Sequence, residues 1–494
     1  MMTKLAVPAS VIAGMLAASF SAFAQEAAVS ESADAPVVIT LEDALKIGLS
    51  ENVSVKVADM EIERTGFAKK GTYAALFPQI DASGSFQRTI KKQVMYMDFD
   101  MGALGGAAGG GSSEGGELPD GVEIPDGVEI PDASADAGAS SNGGGFEVGR
   151  WNNWSAGVSA SMPLVNAQLW QSLKLSGLDV ELAVEKARSS RLDMVTQVKN
   201  AFYSVLMAKE AFDVYKQVYE NAMQNLAETQ KKYDAQKASE MDLIRAKTTV
   251  ANAVPNVYNA ESSIILALWQ LKAVLGVDLD MNLDVAGKLA DHAEQMMRDI
   301  NEGEEMSLDH NSTMKQLAIQ AEMLAQSIKV QQYANIPSLA VAFNFSLNAM
   351  TNDFKFNQYR WTPYSFVALS LNIPIFAGGK RYQQIRQAKN QYEQVQLQVT
   401  NTERQLKIAI RQSLASMETN MKSYYAAQDA VAAAQKGYDI TEVSYKVGRS
   451  TLIELNDAQL ALTQSRLAES QAIFNFLTAK AQLEQTLGQD FIAE

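Results

Sequence analysis

Much of the first half of this chain recurs in the second half at a fixed spacing. Tyr233 matches Tyr445, Asp242 matches Glu454, Leu243 matches Leu455 and Ala246 matches Ala458, each 212 residues apart. The same offset carries WQLKAVLG at Trp269–Gly276 onto AQLEQTLG at Ala481–Gly488. Upstream, SMPLVNAQLWQ (Ser161–Gln171) matches NIPIFAGGKRYQQ (Asn372–Gln384) at 211, and FPQIDASGSF (Phe77–Phe86) matches IPSLAVAFNF (Ile336–Phe345) at 259. The jump in offset marks an insertion in the first copy. A repeat this long requires two copies of one set of elements, packed as near-equivalents.

Each copy reads helix, strand, strand, long helix, turn, helix. The strands alternate with period two. Leu339, Val341, Phe343, Phe345 and Leu347 share one face, as do Val367, Leu369, Leu371, Ile373 and Ile375. The first copy offers Ile80, Ala82, Gly84 and Phe86, then Trp154, Ala156, Val158, Ala160 and Met162. The opposite faces carry Asp81, Ser83, Ser85, Ser159, Ser161, Asn344, Ser346, Ser370 and Asn372. Such strands fit a transmembrane barrel, apolar outside and polar inside. They fit equally an antiparallel sheet with one wet face.

The helices are long. From Ala167 to about Tyr233 there is no proline, and Gly177 is the sole glycine. From Lys380, Ile385, Ala388, Tyr392, Val395 and Val399 step three-four-three-four, and Ile410, Leu414, Met417, Met421 and Tyr424 alternate likewise. That is a coiled-coil seam on an otherwise polar rod.

The insertion between the first two strands, 98–149, holds GGAAGGGSSEGG and two copies of PDGVEI. No Lys or Arg lies between Lys92 and Arg150. Gly, Pro and acid build no core, so this reads as an acidic, solvated loop. Its Asp-Gly pairs do not have EF-hand spacing.

The N-terminus, MMTKLAVPASVIAGMLAASFSAFAQ, has a lysine, an apolar run and small residues at Ala22 and Ala24. It reads as a signal peptide, 1–24. No later run has the length of a membrane-spanning helix. The divisions then follow: 25–76, an N-terminal periplasmic segment and first helix; 77–166, the first strand hairpin; 167–276, the first long helical hairpin. Next come 277–310, a linker or equatorial segment; 311–335, a helix; 336–377, the second strand hairpin; 378–488, the second helical hairpin; and 489–494, a tail.

The net charge of −15 argues against nucleic acid as a partner. There is no cysteine, which removes disulfides, thiolate metal sites and cysteine catalysis. The two histidines, His292 and His310, lack a partner at helical spacing and are expected to be solvent-exposed rather than metal ligands. No nucleophile–base motif is present, so neither an enzyme nor a cofactor is expected. Four strands cannot close a barrel, and an open sheet edge cannot face lipid. If the strands span a membrane, several chains must share one barrel, and three would supply twelve strands.

The chain resembles the TolC family of outer-membrane efflux and secretion channels. LEDALKIGLSENVSV (Leu41–Val55), IPIFAGGKR (Ile373–Arg381) and YKVGRSTLIELNDAQLAL (Tyr445–Leu462) carry the likeness, in order and with the duplication. The resemblance implies a homotrimer: a twelve-stranded outer-membrane β-barrel continuous with a long periplasmic α-helical barrel. It implies an exit duct for an inner-membrane transporter of RND, ABC or MFS type, joined through a periplasmic adaptor. It further implies acidic rings at the periplasmic entrance from Glu454 and Asp457, and a gate lock between Tyr445 and Asp242. Gly448, Val447 and Gln236, at the hairpin turns, become adaptor-docking candidates. Two departures stand out: Glu454 where Asp is usual, and Ser450 where Arg is common, with Arg449 one place early. The competing readings are a structural or adhesive surface protein with a coiled-coil stalk and barrel anchor, and a soluble periplasmic adaptor.

Overall fold

The computed structural model describes residues 36–95, 146–292 and 307–489. The expected signal peptide and all but the last residues of the acidic insertion lie outside them. The chain forms two units. One, of strands, comprises Ala74–Ala167 and Ile336–Pro374; the other, largely helical, comprises Met1–Tyr73, Gln168–Asn335 and Ile375–Glu494.

The strand unit holds a four-stranded antiparallel sheet and a small two-stranded one. We number the strands in chain order: β1 (Val37–Ile39), β2 (Gln79–Arg88), β3 (Gln93–Met95), β4 (Phe146–Val148), β5 (Asn152–Val165), β6 (Leu283–Val285), β7 (Ser338–Thr351) and β8 (Thr362–Asn372). The sheet order is β2-β5-β7-β8. Its register aligns the apolar positions of both copies into one face. Ile80 lies opposite Ala160, Ala160 opposite Phe343, and Phe343 opposite Val367. The next row runs Met162, Val341, Leu369. A slip of one residue would turn every one of these side chains to the other face. This apolar face is uncovered, with Val367 71% and Leu369 66% exposed. The other face carries Asp81, Ser159 and Asn344 in register, but ends on β8 in Phe366 and Tyr364, whose rings lie 5.6 Å apart.

Two expectations are corrected here. β8 stops at Asn372, so Ile373 and Ile375 do not extend its apolar face. Pro374 has no N–H to offer a ladder at that point. The insertion is also shorter than its composition suggested, because Phe146–Val148 forms β4, paired with β3.

The helical unit repeats the duplication in three dimensions. Its helices are α1 (Leu41–Glu51), α2 (Val53–Ala74), α3 (Ala167–Asp234), α4 (Glu240–Leu275), α5 (Ser312–Tyr333), α6 (Lys380–Lys446) and α7 (Leu452–Leu487). α2 and α5 match at both ends at an offset of 259, and α4 and α7 at 212. α3 has 68 residues and α6 has 67. At 1.5 Å per residue each is about 100 Å long. The seam read on α6 is turned inward, with Ala388, Ile410 and Met417 buried and the other members half-buried. On α4, Ala246, Ala253, Ala260 and Ala267 recur every seven residues and are all buried. This narrow stripe of small side chains allows close helix packing.

The two copies share a clasp. Gly276 and Gly488 end α4 and α7 in the left-handed conformation, at φ 76° and 73°. Asn52 Nδ2 donates to the Val274 carbonyl at 2.6 Å, and Asn311 Nδ2 donates to that of Thr486, also at 2.6 Å. Each asparagine thus satisfies a carbonyl that the helix end leaves without an internal donor. Arg188 closes the second clasp, donating to the carbonyls of His310 and Gly488.

The main core gathers Leu45 of α1, Met194 and Phe202 of α3, Leu271 and Leu275 of α4, and Phe476 of α7. A two-stranded parallel sheet, β1 with β6, packs against it. Lys209 anchors that sheet, 2.5 Å from Asp284 and donating to the Val285 carbonyl at 2.9 Å. Each strand is three residues long, too short to carry a periodic signature in the sequence. His292 also departs from expectation. It is half-buried, meeting Tyr203 edge-on at 5.5 Å, because the short helical turn Leu289–His292 folds onto the core.

Candidate functional site: the hairpin turns

Two turns join the long helices, one per copy, and they are built alike. Gln236 and Gly448 are equivalent positions, and both adopt positive φ, 57° and 78°. Lys237 N donates to the Lys232 carbonyl at 2.7 Å and Arg449 N to that of Ser444 at 2.8 Å. These are the six-to-one bonds of a helix C-terminus closed by a left-handed residue. After each turn the next helix opens with a capping box. Ser239 caps α4 with Asp242, and Thr451 caps α7 with Glu454.

The capping boxes assign local work to two of the expected site residues. Asp242 Oδ2 accepts from the Ser239 hydroxyl at 2.7 Å, and Arg245 stands 4.0 Å from its other oxygen. Glu454 Oε2 accepts from the Ser450 hydroxyl at 2.5 Å and from Thr451 N at 2.9 Å. The Ser450 hydroxyl, followed by the Thr451 amide, holds the Glu454 carboxyl below the usual glutamate range. Asn456 reaches α4, donating to Thr249 Oγ1 at 3.3 Å. Asp457 is exposed and has no such partner among the described residues.

Tyr445 is buried between the hairpins, and within the chain it has a different partner from the one expected. Its hydroxyl pairs with Thr229 Oγ1 at 2.6 Å rather than with Asp242. Lys232 donates to the Tyr445 carbonyl, and its ammonium lies over the Tyr445 ring. Tyr445 points toward α3, while the Asp242 carboxylate is drawn back onto the start of α4. Burial holds the Lys232 ammonium below the ordinary lysine range. Around this contact Tyr438, Leu452, Leu455, Leu462 and Ala246 form a small second core. Asn221 adds a polar tie, donating to Gln459 at 2.8 Å. No spacing rule pointed to Thr229 or Lys232; only the side-by-side placement of α3 and α6 brings them to Tyr445. Val447, Gly448 and Gln236 lie exposed on the turns.

The sequence model of outer membrane efflux proteins matches residues 131–277 and 305–489. The chain belongs to the outer membrane efflux protein family. Membership places it in the outer membrane as a transport channel. Outer membrane protein TolC of Escherichia coli is 20% identical over 69% of this chain and 71% of its own length. The proteases secretion protein PrtF of Dickeya chrysanthemi is 22% identical over 68% and 73%. Among solved structures, the Campylobacter jejuni CmeC outer membrane channel superposes with a TM-score of 0.65 at 16% identity, covering 91% of this chain and 85% of that one. The fold is thus that of the family's channels, a β unit and a long helical unit.

Proposed function

We propose that the chain is the exit duct of a tripartite efflux pump or a type I secretion system. It assembles as a homotrimer and conducts substrates, without transforming them, from an inner-membrane transporter across the periplasm and outer membrane. The observation that carries this reading is the four-stranded sheet. Its apolar face is uncovered, and β2 and β8 are each paired on one side only. Unpaired strand edges do not face lipid, so β8 of one copy pairs with β2 of the next, and three copies close twelve strands.

A periplasmic adaptor docks on the turns at Gln236, Val447 and Gly448, with the transporter, of RND, ABC or MFS type, behind it. Glu454 and Asp457 form acidic rings at the entrance. Asp457 is the stronger contributor, because the Glu454 carboxylate is engaged by Ser450 and Thr451. Tyr445, gripped by Thr229 and Lys232, is the latch that keeps the hairpins together, and Asp242 shapes the adjoining turn. Rings of like charge in a narrow pore favour cations.

The test is planar-bilayer conductance of the detergent-extracted protein, with its mass measured in the same detergent. A trimer giving small, cation-selective currents is expected. A monomer that forms no pores would sink the duct reading and leave a surface-anchored structural protein in its place.

A further inference from the structure

Every lysine and arginine of the strand unit sits at one end of its sheet. They are Arg88, Lys91, Lys92, Arg150, Lys355 and Arg360. Arg88 ends β2, Arg150 precedes β5, and Lys355 and Arg360 lie in the connection between β7 and β8. None of the six forms an ion pair among the described residues, although the chain as a whole carries −15.

An aromatic layer lies beneath these cations. Phe86 meets Trp154 at 4.2 Å and Phe354 at 6.1 Å, and Trp154 meets Phe356 at 5.0 Å. The Arg88 guanidinium lies 5.6 Å from the Phe354 ring centre, and Lys92 lies 5.1 Å from that of Trp151. Along β2 the apolar face therefore reads Ile80, Ala82, Gly84, then Phe86, then Arg88. Each step of two residues advances about 7 Å. That order matches a bilayer crossed from hydrocarbon to interface to charged head groups.

We infer that this collar binds the phosphate groups of the phosphorylated glycolipid of the outer leaflet, lipid A. Guanidinium and ammonium groups resting on aromatic rings are held in place for phosphate oxygens. A cluster without carboxylate partners among the described residues favours a lipid of net negative charge over a zwitterionic one, whose own ammonium already neutralises its phosphate. The choice of the outer leaflet rests on the duct reading, in which the strand connections face outward.

The test reconstitutes the full-length protein in phosphatidylcholine vesicles doped with bisphosphorylated lipid A or with its dephosphorylated form. Bound lipid is read by native mass spectrometry, and conductance is recorded on the same preparations. Wild type should retain the bisphosphorylated form alone. Arg88→Gln/Lys91→Gln/Lys92→Gln/Arg360→Gln should weaken it by about fivefold per cation removed. Equal retention of both lipids, or unchanged retention by the variant, overturns the proposal. Binding that emerges only after residues 98–145 are deleted also overturns it for the native chain, since the acidic insertion would then be what the cations meet. Pores without lipid A binding leave the duct standing and this inference lost; absence of pores removes the duct itself.

Discussion

The Lys232 ammonium lies 3.9 Å from the centre of the Tyr445 ring, and its donor reaches the carbonyl of the same residue. With the Thr229 hydroxyl on the Tyr445 phenol, the end of α3 grips the end of α6 from two directions. Tyr445→Phe removes only the hydroxyl; Thr229 loses the phenol but keeps its donation to the Asn225 carbonyl at 2.7 Å. We expect a loss of about 0.5–1.5 kcal/mol in tip stability. In bilayers the variant should open more often than wild type. A Thr229→Val/Tyr445→Phe double-mutant cycle checks the coupling; additive effects would mean the bond does not hold the tips.

Glu454 supplies the pH dependence. Its carboxyl is held below the ordinary glutamate range, chiefly by the Ser450 hydroxyl. Because the folded pKa is lowered, the carboxylate's contribution is full above the ordinary value and is lost as pH falls through the depressed one. Melting curves of wild type and Glu454→Gln should therefore differ at neutral pH and converge in acid. Asp457→Asn, which breaks no side-chain bond among the described residues, should leave melting unchanged and reduce cation selectivity. A variant with unaltered selectivity would remove Asp457 from the entrance.

The paired turns predict effects of opposite sign. Gln236 holds a left-handed conformation that costs a non-glycine residue about 1–2 kcal/mol. Gln236→Gly should relieve part of that strain and raise the melting temperature. Gly448→Ala should lower the melting temperature, through a stability loss of about 1 kcal/mol, although nothing lies near the added methyl group.

At Gly276 the same substitution should cost more. A Cβ there would lie 2.8 Å from the Glu51 carbonyl oxygen, and φ is 76°. Overpacking of about 1–3 kcal/mol adds to the backbone strain. Asn52→Ala should also destabilise, by about 1–3 kcal/mol, through the carbonyl left unpaired at Val274. Denaturant titration of each variant measures the difference.

The two faces of β8 should respond differently to charge. Leu369→Arg places a cation on the uncovered apolar face, and such changes cost about 2–4 kcal/mol at mid-membrane depth. Ser370→Arg, on the opposite face, should be tolerated. Yields of each variant in the outer-membrane fraction give the comparison; equal yields would argue against a lipid-facing β8.

The elements that repeat over many residues were legible without coordinates. The duplication set the helix order, and the alternation of Leu339 through Leu347 already separated the apolar from the polar face. The three-four steps on α6 identified its buried side, and the seven-residue spacing of Ala246, Ala253, Ala260 and Ala267 could have done the same for α4. Periodicity works here because one face of a regular element meets one environment along its whole length. The capping boxes were readable too, in Ser239 with Asp242 and Thr451 with Glu454, and they account for acids that the entrance reading alone had claimed.

Contacts between distant segments left no such trace. β1 and β6 have three residues each, too few for a pattern, and pair across more than 240 positions of chain. The grip of Thr229 and Lys232 on Tyr445 depends on how α3 lies beside α6. A small rotation of either helix would give the phenol another partner, with no change in sequence period. The sequence by itself thus determined which elements form, which faces are apolar and that the plan is doubled, because these follow from local backbone geometry and side-chain polarity. Only the tertiary structure decided that Tyr445 meets α3 and that Asn52 and Asn311 clasp the helix ends. Those pairings arise from packing between segments far apart in the chain, where many partners have the same local chemistry and position alone selects one.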